Sequence, residues 1–449
     1  MNTMIYPTTN FKAIEQLVVA RGEGVYVYDD HGKRYLEGMA GLWCTALGYG
    51  NEEIIECAAE QMRTLSFSHM FGGKTHPVAM ELADKLAAML PVQDAHIFFG
   101  SSGSDANDTQ IKLIRYYFNA IGKPEKHKII ARDKGYHGVT VAAAALTGLP
   151  ANHAHFSLPF EALGILRTGS PHYYREALPG ESEEAFAQRR ADELEALILA
   201  EGPETIAAFI AEPVNGAGGV IVPPQNYFKK VQDILDKYDI MLWDDEVICG
   251  FGRLGCDFGA TAFDLRPKLM SLAKALSSAY LPLSAAVIPG FMYEAMVEPV
   301  SQIGVFGHGY TYSGHPVACA VASKVLDIYQ RDRVFEQAAV TGAYLQDKLS
   351  RFRDHPLVGE VRGMGMLSAV ELVANKLSGE PFSGNAMGGF CQQQCEDQGL
   401  ILRALGGNSI AICPPLIISL EQIDELVEKL RIALDRTLEH ARREQLLVA

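Results

Sequence analysis

Short apolar runs of strand length recur through the middle of this chain, and several are followed by a segment of helical spacing. The runs read DAHIFFG, HKIIARD, TIAAFIAEP, DIMLWDD, KLMSLAK and LSAAVIP, with helix-period segments such as SDANDTQIKLIRYYFNAIG and NYFKKVQDILDKY among them. Strands buried on both faces read as continuous apolar sequence, and parallel neighbours need helical crossovers. The pattern predicts an α/β fold: an open, mostly parallel sheet with helices on both faces.

The two ends of the chain differ from this middle. EGVYVYDDHGKRYLEG has two alternating runs around a turn composition and predicts a hairpin. From about Pro316 onward, long amphipathic helices surround a few strands, VRGMGMLSAVELV and SIAICPPLII. A smaller α/β domain built from residues 1–50 and 316–449 is expected beside a large domain of 51–315.

In open parallel sheets ligands sit beyond the carboxyl ends of the strands. The residues that follow the runs are therefore the candidates: Ser102-Gly103-Ser104, Tyr136 and His137, Glu212, Asp244-Asp245 and Lys274. The acids pose a problem. Asp244, Asp245 and Glu246 follow IMLW without a break, and an ionised carboxylate buried without a partner is costly. One Asp is expected to point to solvent or cap something, while the other meets a cation; a salt bridge to Arg253 is the plain alternative.

Each of the other candidates also has a plain reading. Ser102-Gly103-Ser104 at a helix start can cradle a phosphate on free N–H groups or can simply cap the helix. Lys274 can be a desolvated amine suited to Schiff-base chemistry or a lysine snorkelling to water. Tyr136 can be a stacking surface or a core aromatic. Taken together, a phosphate turn, an aromatic ring, a strand-end acid and a lysine meet the needs of a pyridoxal phosphate site on a parallel sheet.

Composition narrows the classes. A net charge of −15 over 449 residues argues against nucleic acid or an anionic membrane as partner. No run is long and apolar enough for a membrane span, and MNTMIYPTTN has no signal-peptide pattern. Eight cysteines without a disulfide framework point to the cytosol. Cys391 and Cys395 are one helical turn apart without a second Cys/His pair, so helix packing and not a metal site is expected.

The motifs MAGLWC (39–44), GSDAND (103–108), GYHGVT (135–140), AEPVNGAGGVIVPP (211–224), DEVICGFGRLG (245–255), LAKALSS (272–278), HGYTYSGHP (308–316) and CPPL (413–416) carry a specific resemblance. The chain resembles the class III aminotransferases of the fold-type I pyridoxal phosphate enzymes, in the omega-amine and beta-alanine–pyruvate group, over nearly its whole length. The resemblance implies a seven-stranded type of sheet and a homodimer with shared active sites. It implies Lys274 as the Schiff-base lysine and Asp245 as partner of the pyridine nitrogen. By the same likeness Val247 and Tyr136 cover the two ring faces, and Gly103 and Ser104 hold the phosphate. Thr311 would reach the phosphate of the other subunit, and Glu212 would sit on the substrate side. Trp43 and Phe71 would line the amine pocket, and Arg403 would bind the acceptor's carboxylate. The family's usual residue at 244 is small and apolar, so the resemblance assigns Asp244 no role. In the ornithine and GABA branch an arginine stands three residues before the Pro-Pro pair; Ala411 stands there here, which argues against those substrates.

The reaction expected is transfer of an amino group from a primary amine or omega-amino acid to a 2-oxo acid, with pyruvate as acceptor, by ping-pong half-reactions. Another outcome on the same cofactor, an aminomutase, decarboxylase or racemase, is the alternative within enzymes. A non-catalytic protein that kept the fold is the alternative outside them; an intact Lys274 and Asp245 speak against it.

Overall fold

The computed structural model describes residues 3–12 and 16–448. Strands β1 (Val19–Glu23), β2 (Tyr26–Asp29) and β3 (Arg34–Glu37) form an antiparallel meander, and the turn between β2 and β3 is the expected hairpin, with Gly32 at φ +83°.

Seven strands form the central sheet: β4 (His96–Gly100), β5 (Lys128–Arg132), β6 (Ile165–Thr168), β7 (Ile206–Ala211), β8 (Met241–Asp245), β9 (Leu269–Leu272) and β10 (Ser284–Ile288). Their order is β4-β10-β9-β8-β7-β5-β6. The ladders from β9 through β8, β7 and β5 to β6 are parallel, whereas β10 runs antiparallel to both β4 and β9. All six apolar runs named above are strands, and β8 is buried along its whole length. Alternation along β8 turns Met241 and Trp243 to one face and Leu242 to the other, where they join separate apolar clusters. By the same parity Asp244 and Glu246 leave on the Leu242 side and Asp245 on the Trp243 side.

A third sheet holds β11 (Val358–Met364), β12 (Leu367–Asn375) and β13 (Glu380–Pro381). VRGMGMLSAVELV thus splits into two strands that reverse at Gly365, φ +57°. Next, β14 (Leu400–Ile401) pairs in parallel with β3, so a late segment completes the N-terminal sheet. β15 (Arg403–Leu405) and β16 (Ser409–Ile412) finish the third sheet as a hairpin around Gly406–Asn408. Cys391 and Cys395 are buried on the helix Ala386–Asp397, as packing predicts, and all eight cysteines are free.

Candidate active site

The helix Gly103–Ala120 starts directly beyond β4, and its cap explains why. Ser102 Oγ accepts the Asp105 N–H at 3.2 Å, and Asp105 Oδ1 accepts the Ser102 N–H at 3.1 Å, a reciprocal capping box. Asp105 also takes Ser284 Oγ–H of β10 at 2.8 Å, which ties the helix start to the sheet. A side chain on Gly100 would meet Asp105 Oδ1 at 2.3 Å, so glycine is needed there. The serine turn is therefore both a cap and one wall of a cavity.

That cavity has a volume of 360 Å³. Ser102, Gly103, Ser104, Tyr136, Glu212, Asp245, Val247 and Lys274 line it together. Glycine at 103 leaves Val247 room, since an added Cβ would lie 3.0 Å from its Cγ1. Gly138, at φ +121°, packs so closely on Ser104 that an added Cβ would lie 2.5 Å from its Oγ. Backbone N–H groups of the helix start and the hydroxyls of Ser102 and Ser104 make this end suited to an anion.

Asp245, only 2% exposed, is held by three donors. Asn107 Nδ2–H reaches its Oδ2 at 3.0 Å, His137 Nδ1–H reaches the same oxygen at 2.8 Å, and the Val247 N–H reaches Oδ1 at 3.1 Å. Asn107 also donates to the His137 carbonyl, which locks the two partners together. Arg253 takes no part: its guanidinium binds the carbonyls of Pro414 and Met366. The salt bridge considered for the acid pair is absent among the described residues. Asp244 does not turn to solvent either; it is fully buried and faces Glu246.

Lys274 follows β9 with its backbone in the left-handed region, φ +51°. A non-glycine residue there costs energy and marks a position the surroundings dictate. Burial pushes its ammonium pKa down, while Asp245, Cys44 and Glu212 pull it back up. The side chain is thus a half-buried, desolvated amine that faces the cavity. Glu212 is buried with both oxygens engaged, Oε1 by the Tyr136 N–H and Oε2 by the Gly216 N–H, each at 2.9 Å. Burial drives its carboxyl pKa up. It pins the backbone of Tyr136; no arginine pairs with it among the described residues.

The remaining predicted residues lie outside this lining. Trp43 is buried, and the guanidinium of Arg403 sits 5.3 Å from its ring centre. Arg403 is half-buried at the start of the β15–β16 hairpin, close enough to Tyr136 to share its field, and desolvation lowers its pKa. Phe71 is 47% exposed and packs toward Gly309, and Thr311 is exposed. Neither reaches the cavity of its own chain. Sequence reasoning assigned no role to His137 and Asn107. A signal was present for each: His137 follows a strand, and Asn107 is one helical turn beyond Gly103 on the same face.

A cavity at the carboxyl ends of a mostly parallel sheet, with a desolvated amine, a fixed acid and an anion-binding helix start, defines a pyridoxal phosphate transferase of fold type I. A family model described as "Aminotransferase class-III" matches residues 9–434, and the chain belongs to that family. A gamma aminobutyrate transaminase 3 named as chloroplastic, from Solanum lycopersicum, is 48% identical over 426 residues, 94% of this chain and 81% of that protein. The omega transaminase from Pseudomonas jessenii, solved in complex with PMP, has a TM-score of 0.95 and 49% identity and covers 97% of this chain and 96% of its own. A thermostable omega transaminase variant with a TM-score of 0.95 and 48% identity covers 97% of both chains. In it a tryptophan, a phenylalanine and an arginine were replaced, and it is described as engineered for asymmetric synthesis of enantiopure bulky amines.

The protein is an aminotransferase that depends on pyridoxal phosphate. Its own residues fit that cofactor: a donor-rich helix start for phosphate, a buried acid aimed at the cavity for a ring nitrogen, and a desolvated amine for an aldehyde. Among the described residues no helix is long and apolar enough to cross a membrane.

Proposed function

We propose that this aminotransferase moves an amino group from a primary amine or omega-amino acid to pyruvate. The observation that carries the reading is the placement of Lys274 and Asp245 in one cavity bounded by the serine turn. Bound there, the cofactor supplies an aldehyde for exchange with the amine and an electron sink for the negative charge developing at the substrate carbon. Ser104 and the N–H groups at the start of Gly103–Ala120 hold its phosphate. Asp245, fixed by Asn107, His137 and the Val247 N–H, keeps a proton on the ring nitrogen. Val247 and Tyr136 bracket the ring. Lys274 Nζ, as a free amine beside the substrate, would take a proton from the substrate carbon and give it back as the amino group is transferred. Desolvation lowers its pKa and so favours the uncharged amine that a base must be.

Trp43 and Arg403 form the acceptor side. Cation–π contact gives the guanidinium a resting place when no carboxylate is present. The engineered relative, altered at the same three residue types as Trp43, Phe71 and Arg403, supports assigning the substrate pocket to these side chains. Phe71 and Thr311 reach the active site from a second copy of the chain, so the working unit is a homodimer. The division into residues 1–50 with 316–449 and 51–315 is our reading of how the pocket is split between a small and a large domain. Eight free cysteines support a reducing compartment such as the cytosol, although the tomato relative is named for the chloroplast.

The test is a panel of donors against pyruvate, read as alanine, with gamma-aminobutyrate included because of the tomato relative's name. Alanine formation dependent on both partners supports the reading. Turnover of the amine without any 2-oxo acid would favour a decarboxylase, mutase or racemase instead.

A further inference from the structure

Asp244 and Glu246 are both fully buried on the Leu242 side of β8, opposite Asp245. Their carboxyl groups lie within hydrogen-bonding reach of each other. Neither oxygen of Asp244 receives a hydrogen bond from an N–H or hydroxyl group, nor does Oε2 of Glu246. Oε1 of Glu246 is provided for, accepting the Ala260 N–H at 2.7 Å, with the Gly259 N–H beside it. The nearest cation is Arg132, also fully buried, whose Nη2–H is spent on the Glu212 carbonyl and whose Nε and Nη1 are unbonded. Other ionisable groups facing the pair are Asp245, Cys249 and Cys256.

Two ionised carboxylates in contact with no donor between them repel each other in a low-dielectric interior. One proton resolves this: an O–H on one carboxyl donates to the free oxygen of the other. We propose that Asp244 and Glu246 share a single proton in this way, with Asp244 as the neutral donor to Glu246 Oε2. The pair is then a positioning device for Asp245 on the opposite face of the strand.

The geometry assigns each part a task. The proton removes one of three charges at the end of β8. The remaining charge on the pair is taken by the Ala260 and Gly259 N–H groups. A chain from Asp244 through Glu246 to Ala260 ties the strand end to the segment that follows it, and holds the backbone that carries Asp245 and Val247. Burial pushes Asp244 well above the ordinary carboxylate range and raises Glu246 to about 7, in the same sense. Groups raised in this way stabilise the fold fully at low pH, and that contribution is lost as pH rises through the folded-state value. The role in positioning Asp245 rests on the proposed function; the shared proton does not.

The experiment compares wild type with D244N, D244A and E246Q. Infrared difference spectra between wild type and D244N, with and without cofactor, should show a protonated-acid carbonyl band in wild type that D244N removes. D244N keeps a neutral donor, so its thermal midpoint should stay near wild type and its midpoint should fall less steeply than wild type above pH 7. D244A leaves Glu246 Oε2 without a donor and should lower the midpoint and kcat with little change in KM, both recovered in D244N. E246Q should remove the same acid band, because Asp244 then loses its ionised partner and pairs with Arg132. Absence of the band from wild type, its survival in D244N, or equal loss of midpoint in D244N and D244A would overturn the shared proton and favour an ionised Asp244 paired at range with Arg132. If D244A fails to fold, D244N and E246Q still decide. Failure of transamination altogether would leave the infrared result untouched, so the two readings fail separately.

Discussion

The guanidinium of Arg403 rests 5.3 Å from the centre of the Trp43 ring, with desolvation lowering its pKa. A cation stacked on indole keeps part of its stabilisation without a counter-ion. It can therefore leave for a carboxylate and return when the substrate lacks one. Losing a desolvated charge pair costs about 2–5 kcal/mol, so Arg403→Ala should slow the half-reaction with pyruvate by about thirty-fold to several thousand-fold. The half-reaction with a carboxylate-free amine should change far less. Single-turnover absorbance on each half-reaction separates the two, and equal losses would exclude a movable clamp.

Asp245→Asn keeps the size and the Val247 N–H bond but loses the charge that His137 and Asn107 support. Both half-reactions should slow together, because each needs the ring nitrogen protonated. Asp244→Asn, which keeps a neutral donor to Glu246, should leave both within about threefold. Equal damage from the two substitutions would reverse the assignment of β8.

Lys274→Ala removes the only lysine among the described residues that lines the cavity. Loss of a general base of this kind is worth about 10²–10⁴-fold in rate. The variant should still fold and bind cofactor through its phosphate end. In wild type, borohydride reduction and peptide mapping should find the cofactor on Lys274, and a label on another lysine would remove it from the centre of the scheme.

Glu37 is buried and takes the Met39 N–H at 2.9 Å, at the foot of a turn in which Ala40, Gly41 and Trp43 have φ of +47°, +66° and +59°. Burial raises its carboxyl to about 7 against the two backbone N–H groups of Met39 and Gly41 that pull it down. Because the folded value is raised, its contribution to stability is complete in acid and fades as pH rises through about 7. Glu37→Gln, neutral at every pH and still an acceptor, should flatten the fall of the thermal midpoint between mildly acidic and mildly alkaline buffer. Parallel curves for the two proteins would show that Glu37 does not titrate there.

Arg362 of β11 joins the segment at Gly219–Val220 to the third sheet. It donates to the Gly219 and Val220 carbonyls, to Glu360 at 2.6 Å and Glu371 at 2.5 Å, and to Ser409 Oγ at 3.0 Å. Removing one partner of a buried ionic cluster costs about 3–5 kcal/mol. Arg362→Ala should lower the urea midpoint accordingly. Arg362→Lys should recover little, since an ammonium cannot span these acceptors.

Much of this site was legible because a parallel sheet reports its own business end. Ser102, Asp245 and Lys274 each follow an apolar run, and the fold brings the carboxyl ends together whatever the details. Strand direction was not legible: nothing in LSAAVIP marks β10 as the antiparallel member, since direction is decided by connections and not by residue type. The sorting of Asp244 from Asp245 was a matter of strand parity, which the pattern contained and the expectation of a solvent-facing acid overlooked. His137 and Asn107 escaped assignment because each acts through Asp245, which lies 108 and 138 residues further along the chain. Phe71 and Thr311 do not reach the cavity of their own chain, so strand ends gave no sign of where they sit.

In the β15–β16 hairpin, Arg403 is the cross-strand partner of Ala411. Side chains at such paired positions leave on the same face, about 5 Å apart at Cβ. A methyl group at 411 sets no stop on the sweep of the guanidinium, while each added carbon would shorten its arc. Side-chain volume at residue 411 is thus a second handle on the reach of the guanidinium, set from the neighbouring strand.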